Sequence, residues 1–193
     1  HWNQMMAELM GKETGYCKGK GGSMHIAEVD KCNNLGSTGI VGGNQPPAVG
    51  AALAEKYKKT GKVVLSFFGD GATNCGSFHE SMNMASTLKV PLVAIIENNL
   101  YGMSVPFSGS EVDGTLRASN IEDIAVRATA YDVPGVIVDG QDAVAVFLAV
   151  RSAVGRARKG NQMTIIEAKT YRWYGHSRSD PREYRTKAEE KAW

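Results

Sequence analysis

The sequence predicts an α/β fold in which a doubly wound, mostly parallel sheet is covered by helices. Short, continuous apolar runs such as KVVLSFF (62–68) and PLVAII (91–96) are typical of strands buried on both faces of a parallel sheet. Helical segments separate these runs, and strands that alternate with helices are joined by right-handed crossovers. Ligands of such sheets bind beyond the carboxyl ends of the strands, so we expect functional residues in the loops after Phe68, Ile96 and Ala168.

The elements follow in order along the chain. Residues 3–10 predict the end of a helix that Gly11 closes, whereas the Gly-, Ser- and Asn-rich stretch 15–44 predicts a long functional loop. Prolines suit the first turn of a helix, so a helix is expected to start at Pro46–Pro47. The other predicted elements are strands at 62–68, 91–96, 136–138 and 163–168, helices at 77–88, 121–131 and 142–159, a Gly/Ser loop from about 102 to 119, and a polar, aperiodic segment at 171–185.

Composition narrows the function classes. The 193 residues include 22 basic and 20 acidic side chains, and this balance gives no reason to expect a nucleic-acid partner. Three cysteines at irregular spacing predict neither a disulfide framework nor a zinc site, which favours a reduced compartment. We expect the cytoplasm, with the mitochondrial matrix as the alternative. No apolar run approaches the ~20 residues that cross a bilayer, so no membrane partner is expected.

The two ends of the sequence bear on its domain organisation. The chain starts at His1 and ends at Trp193 within a charged helical pattern. A length of 193 residues suits one domain with a core of its own. We therefore expect a single domain over residues 1–193 that is incomplete at both ends.

The first chemical motif is Gly69-Asp70-Gly71, which lies directly between a predicted buried strand and a helix. Glycines at this position let backbone N–H groups approach a phosphate, and a helix N-terminus favours negative charge. The carboxylate of Asp70 would repel that phosphate unless a cation lay between them. Magnesium commonly bridges carboxylates to substrate phosphates, so the motif predicts a magnesium site.

The second motif is Glu97-Asn98-Asn99, at the end of the next predicted strand. Twenty-six residues (72–97) separate Gly71 from Asn98, which is room for one helix and one strand. Asp70 and the asparagines should therefore lie at the same edge of the sheet, and an amide oxygen is a suitable magnesium ligand. Either motif alone is more often a simple turn; the pair at this spacing favours a site.

Five segments carry a resemblance to a known family. They are GKGGSMHI (19–26), GIVGG (39–43), GDGATNCGSFHESMNMAS (69–86), ENNLYGMS (97–104) and YGHSRSDP (174–181). GDG followed by 26 residues and NN resembles the thiamine-diphosphate motif. The chain as a whole resembles the alpha subunit of the thiamine-dependent first component of 2-oxo acid dehydrogenase complexes, of the pyruvate and acetoin dehydrogenase type. The resemblance implies the thiamine-diphosphate-binding fold.

The resemblance also implies roles for individual residues. Asp70 and Asn99 would be side-chain ligands of Mg²⁺, and the backbone carbonyl of Tyr101 would complete the metal site. Thiamine diphosphate would contact the amides of Gly71 and Ala72 through its diphosphate. Its aminopyrimidine ring would contact the backbone of Gly39 and Val41, Met103 would wedge it into its bent shape, and the catalytic His176 would face the diphosphate and the substrate.

The same resemblance implies partners. The activating glutamate of this family belongs to a separate beta subunit, and no glutamate of this chain is assigned that role. Heterotetramers with the beta subunit, and acyl transfer to lipoamide on an acyltransferase component, are expected. The implied reaction is oxidative decarboxylation of a 2-oxo acid or cleavage of acetoin.

Several alternatives stay open at this point. The chain could be the amino-terminal half of a transketolase-like transferase, or a non-catalytic relative that keeps the fold. His176 could be a surface histidine in a solvated loop. Ser177 and Ser179 match a loop that is phosphorylated in mitochondrial relatives, and the sequence does not decide whether they are modified here. The choice among pyruvate, acetoin and a branched-chain 2-oxo acid is also undecided, although GIVGG and GHSRSDP lean towards the first two.

Overall fold

The computed structural model describes residues 1–108, 117–160 and 162–193. These residues divide into two compact units, which span residues 1–44 and 45–193. The prediction of a single domain over 1–193 stays a prediction. The predicted Gly/Ser loop at 102–119 falls partly outside the described residues.

The first unit is a glycine-rich loop folded around one carboxylate. Helix α1 (Trp2–Leu9) ends next to Gly11, as predicted, and a short helix α2 (Val29–Cys32) interrupts the loop. The Glu8 carboxylate is buried and accepts hydrogen bonds from the backbone N–H groups of Cys17, Gly19 and Gly21 at 2.7, 2.9 and 2.6 Å. The glycine-rich stretch lacks the periodicity of a helix or strand, and hydrogen bonds to the Glu8 side chain hold it in one conformation.

The second unit holds the sheet and its helices. Its helices are α3 (Gln45–Lys58), α4 (Gly76–Thr87), α5 (Ala143–Gly160) and α6 (Lys187–Ala192), with 3₁₀ helices at Asp70–Asn74 and Ile124–Tyr131. Its strands are β1 (Val64–Gly69), β2 (Leu92–Asn98), β3 (Tyr101–Gly102), β4 (Val105–Pro106), β5 (Gly135–Asp139) and β6 (Thr164–Lys169). Among the described residues, none of the helices combines the length and apolar character that a bilayer crossing needs.

The main sheet has the strand order β1-β2-β6-β5, and every pair in it is parallel. Gly69 is level with Glu97, and Asn98 is level with Lys169, so three strands end at the same edge. This arrangement confirms the predicted α/β fold with a parallel sheet. It also brings the loops after these three strands to one edge.

Helices cover both faces of the sheet, because successive side chains of a strand point to opposite faces. On one face, Leu92, Ala94 and Ile96 pack in a core with Phe78 and Met82 of α4. On the other face, Val93 and Ile95 pack with Ala153 of α5 and Ile166 of β6. Each fully buried isoleucine or leucine side chain stabilises the fold by roughly 1.5–3 kcal/mol relative to an exposed one. Because β2 contributes side chains to the cores on both faces, it lies at the centre of the fold.

Two sequence predictions differ from the structure. Strand β1 was expected to be buried on both faces, yet Leu65 and Phe67 are 41% and 53% exposed. The reason is that β1 lies at the sheet edge, while α5 packs against β2, β5 and β6. The helix predicted at 121–131 is a 3₁₀ helix that begins at Ile124, and the hairpin of β3 and β4 was not predicted.

Candidate functional site

Asp70 is the first residue after β1, at the carboxyl edge of the sheet. Its side chain is 1% exposed, and its Oδ2 atom has no hydrogen-bond partner among the described residues. Burial raises the pKa of Asp70 to about 6, although the N–H groups of Gly71 and Asp70 and the charge of Arg172 oppose the rise. A buried carboxylate oxygen without a partner is unusual and fits a position that a cation occupies.

The two neighbouring asparagines differ in what their side chains do. The Asn98 amide donates to Glu167 at 2.7 Å, and its oxygen accepts the Leu100 N–H at 3.0 Å, so both polar atoms of this side chain have partners within the fold. The Asn99 oxygen accepts the Tyr101 N–H at 3.2 Å, and the Arg172 Nη1 atom lies 3.5 Å from it. Asn99 is only partly buried, whereas Asn98 is buried, so Asn99 is the side chain of the pair that a ligand could reach.

Tyr101 and Met103 lie in a tight hairpin after β2. Tyr101 pairs with Pro106 and Gly102 with Val105. Leu100 and Met103 both adopt left-handed backbone conformations, with φ of 73° and 56°. Such conformations in residues other than glycine are strained, and they cluster at functional sites. The Met103 side chain is exposed, as a residue that contacts a ligand would be.

The hairpin and the segment after β1 lie against each other. A Cβ atom placed on Gly71 would lie 3.4 Å from the Cα atom of Gly102. Both residues are glycine, so the two backbones approach closely at this point. The 3₁₀ turn that carries Asp70, Gly71 and Ala72 is thereby adjacent to the hairpin that carries Tyr101.

The Arg172 guanidinium lies close to three oxygen atoms of this region, those of the Asn99 side chain and of the Tyr101 and Met103 backbone. Its Nη1 atom lies 3.5 Å from the Asn99 Oδ1 atom and donates to the Tyr101 carbonyl at 3.3 Å. Its Nη2 atom donates to the Met103 carbonyl at 2.6 Å. The side-chain oxygen of Asn99 and the carbonyl of Tyr101 thus face one positive charge, which also attracts the Asp70 carboxylate.

The donor set fits a magnesium ion. One carboxylate, one amide oxygen and one backbone carbonyl are hard oxygen ligands, and Mg²⁺ takes one or two carboxylates with the remaining positions left to phosphates and water. Within the described residues, no group of three His, Cys, Asp or Glu side chains could hold a metal. The region therefore fits Mg²⁺ with a phosphate-bearing ligand better than a zinc site.

The loop that carries His176 is anchored by Asp180. The carboxylate accepts the N–H groups of His176 and Arg182 at 2.7 and 2.9 Å and the Tyr184 hydroxyl at 2.7 Å. The Arg182 N–H, the Tyr184 hydroxyl and the His176 N–H lower the pKa of Asp180 to about 2. Arg172 donates to the Tyr184 hydroxyl at 2.9 Å, which links this loop to the hairpin. His176 is exposed, and its catalytic role stays a prediction.

Gly39 and Val41 belong to the first unit, and both are exposed. A Cβ atom on Gly39 would lie 3.2 Å from the Met24 Cε atom and 3.9 Å from the His25 ring. The GIVGG segment therefore packs against the GKGGSMHI segment within this unit. The predicted contacts of Gly39 and Val41 with a cofactor stay predictions.

Sequence reasoning did not single out Glu167, which organises the same edge of the sheet. It is fully buried on β6, and its carboxylate accepts the Asn98 amide at 2.7 Å and the Ala125 N–H at 2.8 Å. The signal was present, because one carboxylate interrupts the apolar run TIIEAK (164–169). A buried charge of this kind needs partners, and here they are Asn98 at the end of β2 and Ala125 in the 3₁₀ helix Ile124–Tyr131.

The chain is similar to known proteins along nearly its whole length. The family model described as "Dehydrogenase E1 component" matches residues 1–193. The alpha subunit of acetoin:2,6-dichlorophenolindophenol oxidoreductase from Bacillus subtilis is 51% identical over 185 residues, which cover 96% of this chain and 53% of that protein. The pyruvate dehydrogenase E1 component subunit alpha of Porphyra purpurea is 42% identical over 196 residues, which cover 98% and 54%. The chain spans about half the length of the curated relatives it matches.

Solved structures share the fold at low sequence identity. A Mycobacterium smegmatis protein described as a thiamin diphosphate-dependent enzyme matches 72% of this chain and 24% of its own, with a TM-score of 0.52 and 19% identity. Benzoylformate decarboxylase from Polynucleobacter necessarius matches 72% of this chain and 26% of its own, with a TM-score of 0.51 and 17% identity. These likenesses concern the fold alone.

Proposed function

The chain belongs to the dehydrogenase E1 component family, and from this membership we propose that it is the alpha-subunit portion of a thiamine-diphosphate-dependent 2-oxo acid or acetoin dehydrogenase. The relatives named as acetoin and pyruvate dehydrogenase alpha subunits support the proposal. The observation that carries it is the site itself. A buried Asp70 oxygen without a partner lies beside a hairpin whose Asn99 and Tyr101 oxygens converge on one positive charge.

The proposal assigns a task to each residue of the site. Asp70, Asn99 and the Tyr101 carbonyl would hold Mg²⁺, and the Gly71 and Ala72 amides would hold the diphosphate of the cofactor. Gly39, Val41 and Met103 would hold and bend its aminopyrimidine end, and His176 would face the diphosphate and the substrate. When bound, thiamine diphosphate supplies a nucleophilic carbon that attacks the substrate carbonyl and then acts as an electron sink.

The chain's own contribution is to bind, to orient and to exclude water. Burial makes Asp70 costly to ionise, so a divalent cation bound beside this carboxylate would offset that cost. The close contact of Gly71 and Gly102 keeps the phosphate-facing turn and the metal-binding hairpin together. The left-handed Met103 backbone presents its side chain outward from that hairpin.

We further propose that the chain is catalytically incomplete without a beta subunit. Glu167 lies near the carboxyl edge of the sheet, but both its carboxylate oxygens are engaged by Asn98 and Ala125. An activating glutamate would come from the beta subunit, in a heterotetramer, and the acyl group would pass to a lipoyl acyltransferase. The cytoplasm is the proposed location, with the mitochondrial matrix as the alternative.

Among the possible substrates, the relative from Bacillus subtilis favours acetoin. The acetoin-oxidising relative from Bacillus subtilis is 51% identical, whereas the pyruvate dehydrogenase relative from Porphyra purpurea is 42% identical. The sequence segments that carry the resemblance also lean towards acetoin or pyruvate rather than a branched-chain 2-oxo acid. We therefore place acetoin first and pyruvate second.

The test uses the full-length protein co-expressed with its beta subunit. With Mg²⁺ and thiamine diphosphate present, reduction of an artificial electron acceptor is followed with acetoin, pyruvate and 2-oxoisovalerate. We expect the highest kcat/KM with acetoin, and no activity in the Asp70→Asn variant or for the alpha subunit alone. Turnover of sugar phosphates only would indicate the transketolase-like alternative, and absence of cofactor binding would indicate a non-catalytic relative.

A further inference from the structure

Tyr101 makes hydrogen bonds through both its side-chain hydroxyl and its backbone carbonyl. Its hydroxyl donates to the Glu189 carboxylate, at 2.8 Å to Oε1 and 3.0 Å to Oε2. Its backbone carbonyl accepts from Arg172 at 3.3 Å. Its side chain is 3% exposed, and its ring lies 5.3 Å from that of Tyr184. A residue that matters only through a backbone carbonyl would not need a side chain tethered in this way.

The backbone conformation of the hairpin explains why the Tyr101 side chain is restrained. The residues on both sides of Tyr101 include two left-handed positions, Leu100 and Met103, and strained backbone persists only where its surroundings enforce it. The direction of the Tyr101 carbonyl is tied through its Cα atom to the position of its ring. Fixing the hydroxyl therefore restricts rotation of the peptide that presents this carbonyl beside Asn99.

We propose that Glu189 is a positioning residue of the metal site, which acts through the Tyr101 hydroxyl to aim the Tyr101 carbonyl and to hold the turn that presents Asn99. The proposal rests on the proposed function, because it takes these two oxygens as metal ligands. Glu189 reaches Tyr101 from α6, 88 residues along the chain. The metal site would thus depend on a helix that contributes no ligand.

A purely structural role for Glu189 would be the docking of α6, and the structure separates the two roles. Helix α6 is also held by Glu190, which pairs with Arg185 at 2.9 Å and Arg182 at 3.1 Å. Glu189 itself accepts a second hydroxyl, that of Tyr171, at 3.1 Å. Removal of the Tyr101 hydroxyl therefore leaves α6 with its other attachments, and Tyr171 offers a matched control on the same carboxylate.

The experiment measures cation binding directly in the assembled alpha–beta protein. Mn²⁺ replaces Mg²⁺, and its affinity at saturating thiamine diphosphate is measured by electron paramagnetic resonance. We expect Tyr101→Phe, which keeps the ring and the carbonyl, to weaken Mn²⁺ binding about tenfold, the scale of one hydrogen bond to a charged group. Glu189→Ala should weaken it as much, and Glu189→Gln should restore part of the affinity because its amide oxygen accepts the hydroxyl.

Control variants decide the outcome. Tyr171→Phe should stay within about twofold of wild type, and the Tyr101→Phe/Glu189→Ala double variant should bind no more weakly than the weaker single variant, because both act through one contact. Wild-type affinity in Tyr101→Phe, or equal losses in Tyr101→Phe and Tyr171→Phe, would overturn the proposal while the proposed function stands. Failure of the wild-type protein to bind Mn²⁺ would overturn both.

Discussion

Asp70 combines a charged group with a position that excludes water. Ionisation of a buried carboxyl group is unfavourable where hydrogen bonds or nearby positive charges do not offset the loss of water. The Asp70 Oδ2 atom has no hydrogen-bond partner among the described residues, and burial raises the pKa of Asp70. A divalent cation at the proposed site would offset this cost of ionisation.

The Asp70→Asn variant tests this balance through stability. A pKa raised from 3.8 to about 6 corresponds to roughly 2–3 kcal/mol of unfavourable ionisation in the folded state. This penalty is absent below pH 4, grows as the pH rises to 6, and is constant above. In the metal-free protein, Asp70→Asn should therefore raise the free energy of unfolding at pH 8 and leave it unchanged near pH 4.

The measurement is chemical denaturation at both pH values in the presence of a chelator, and the same variant should lose Mg²⁺-dependent binding of thiamine diphosphate. Loss of stability at pH 8 would contradict the assigned role of the buried carboxylate. Asp123→Asn, at a partly exposed carboxylate paired with Lys169, is the control and should show no such gain.

Glu167 supports two segments, the end of β2 through Asn98 and the 3₁₀ helix Ile124–Tyr131 through Ala125. Glu167→Ala would leave the Asn98 amide and the Ala125 N–H without acceptors in the interior. Each unsatisfied buried group costs about 1–3 kcal/mol, so we expect a loss of roughly 2–6 kcal/mol in urea denaturation. Glu167→Gln, which retains one acceptor oxygen, should lose less; equal losses in the two variants would indicate a packing effect instead.

At the scale of elements, the Glu8 carboxylate holds the glycine-rich loop in place by accepting backbone hydrogen bonds that a helix or strand would otherwise satisfy. Burial alone would raise the pKa of Glu8, but the N–H groups of Gly19, Cys17 and Gly21 outweigh it and hold the pKa below the ordinary 4.5. Because the folded-state pKa is lowered, the contribution of Glu8 to stability is present above pH 4.5 and is lost as the pH falls through the folded-state value.

Limited proteolysis tests this role of Glu8. Glu8→Gln places an N–H donor where an acceptor is needed, so the loop should open more often and trypsin should cleave faster after the exposed Lys18 and Lys20. Cleavage is followed by mass spectrometry at neutral pH. Glu13→Gln, at an exposed position of the same loop, is the control, and equal cleavage rates in the two variants would contradict the prediction.

The elements themselves were predictable to different degrees. Apolar runs located the four strands of the main sheet, because parallel strands bury nearly every side chain. The burial that this rule implies is missing from the two edge strands, where Leu65 and Phe67 of β1 and Ile137 of β5 are exposed, because the position of a strand in the sheet is not set by local sequence. The hairpin after Asn99 was missed because its turn uses Met103, whose type gives no turn signal, in a left-handed conformation.

At the scale of the molecule, cofactor binding should be visible as a gain in stability. A ligand at 100 times its Kd stabilises the folded state by about 2.7 kcal/mol, which raises Tm by roughly 5–10 °C for a chain of this size. In the larger alpha–beta protein the same free energy gives a smaller rise in Tm with thiamine diphosphate and Mg²⁺, which scanning calorimetry would measure. Removal of Mg²⁺ with EDTA should abolish it, and a rise that survives EDTA would contradict a metal-bridged diphosphate.

The sequence by itself determined the alternation of strands and helices, the parallel sheet, and the edge at which Asp70 and Asn99 lie. These features depend on local pattern and on spacing along the chain. Only the tertiary structure decided that Asn98 is engaged by Glu167, 69 residues away, and that Arg172, 73 residues from Asn99, faces its side-chain oxygen. The reason is physical: burial and hydrogen bonding of polar groups depend on which distant segments the sheet brings together.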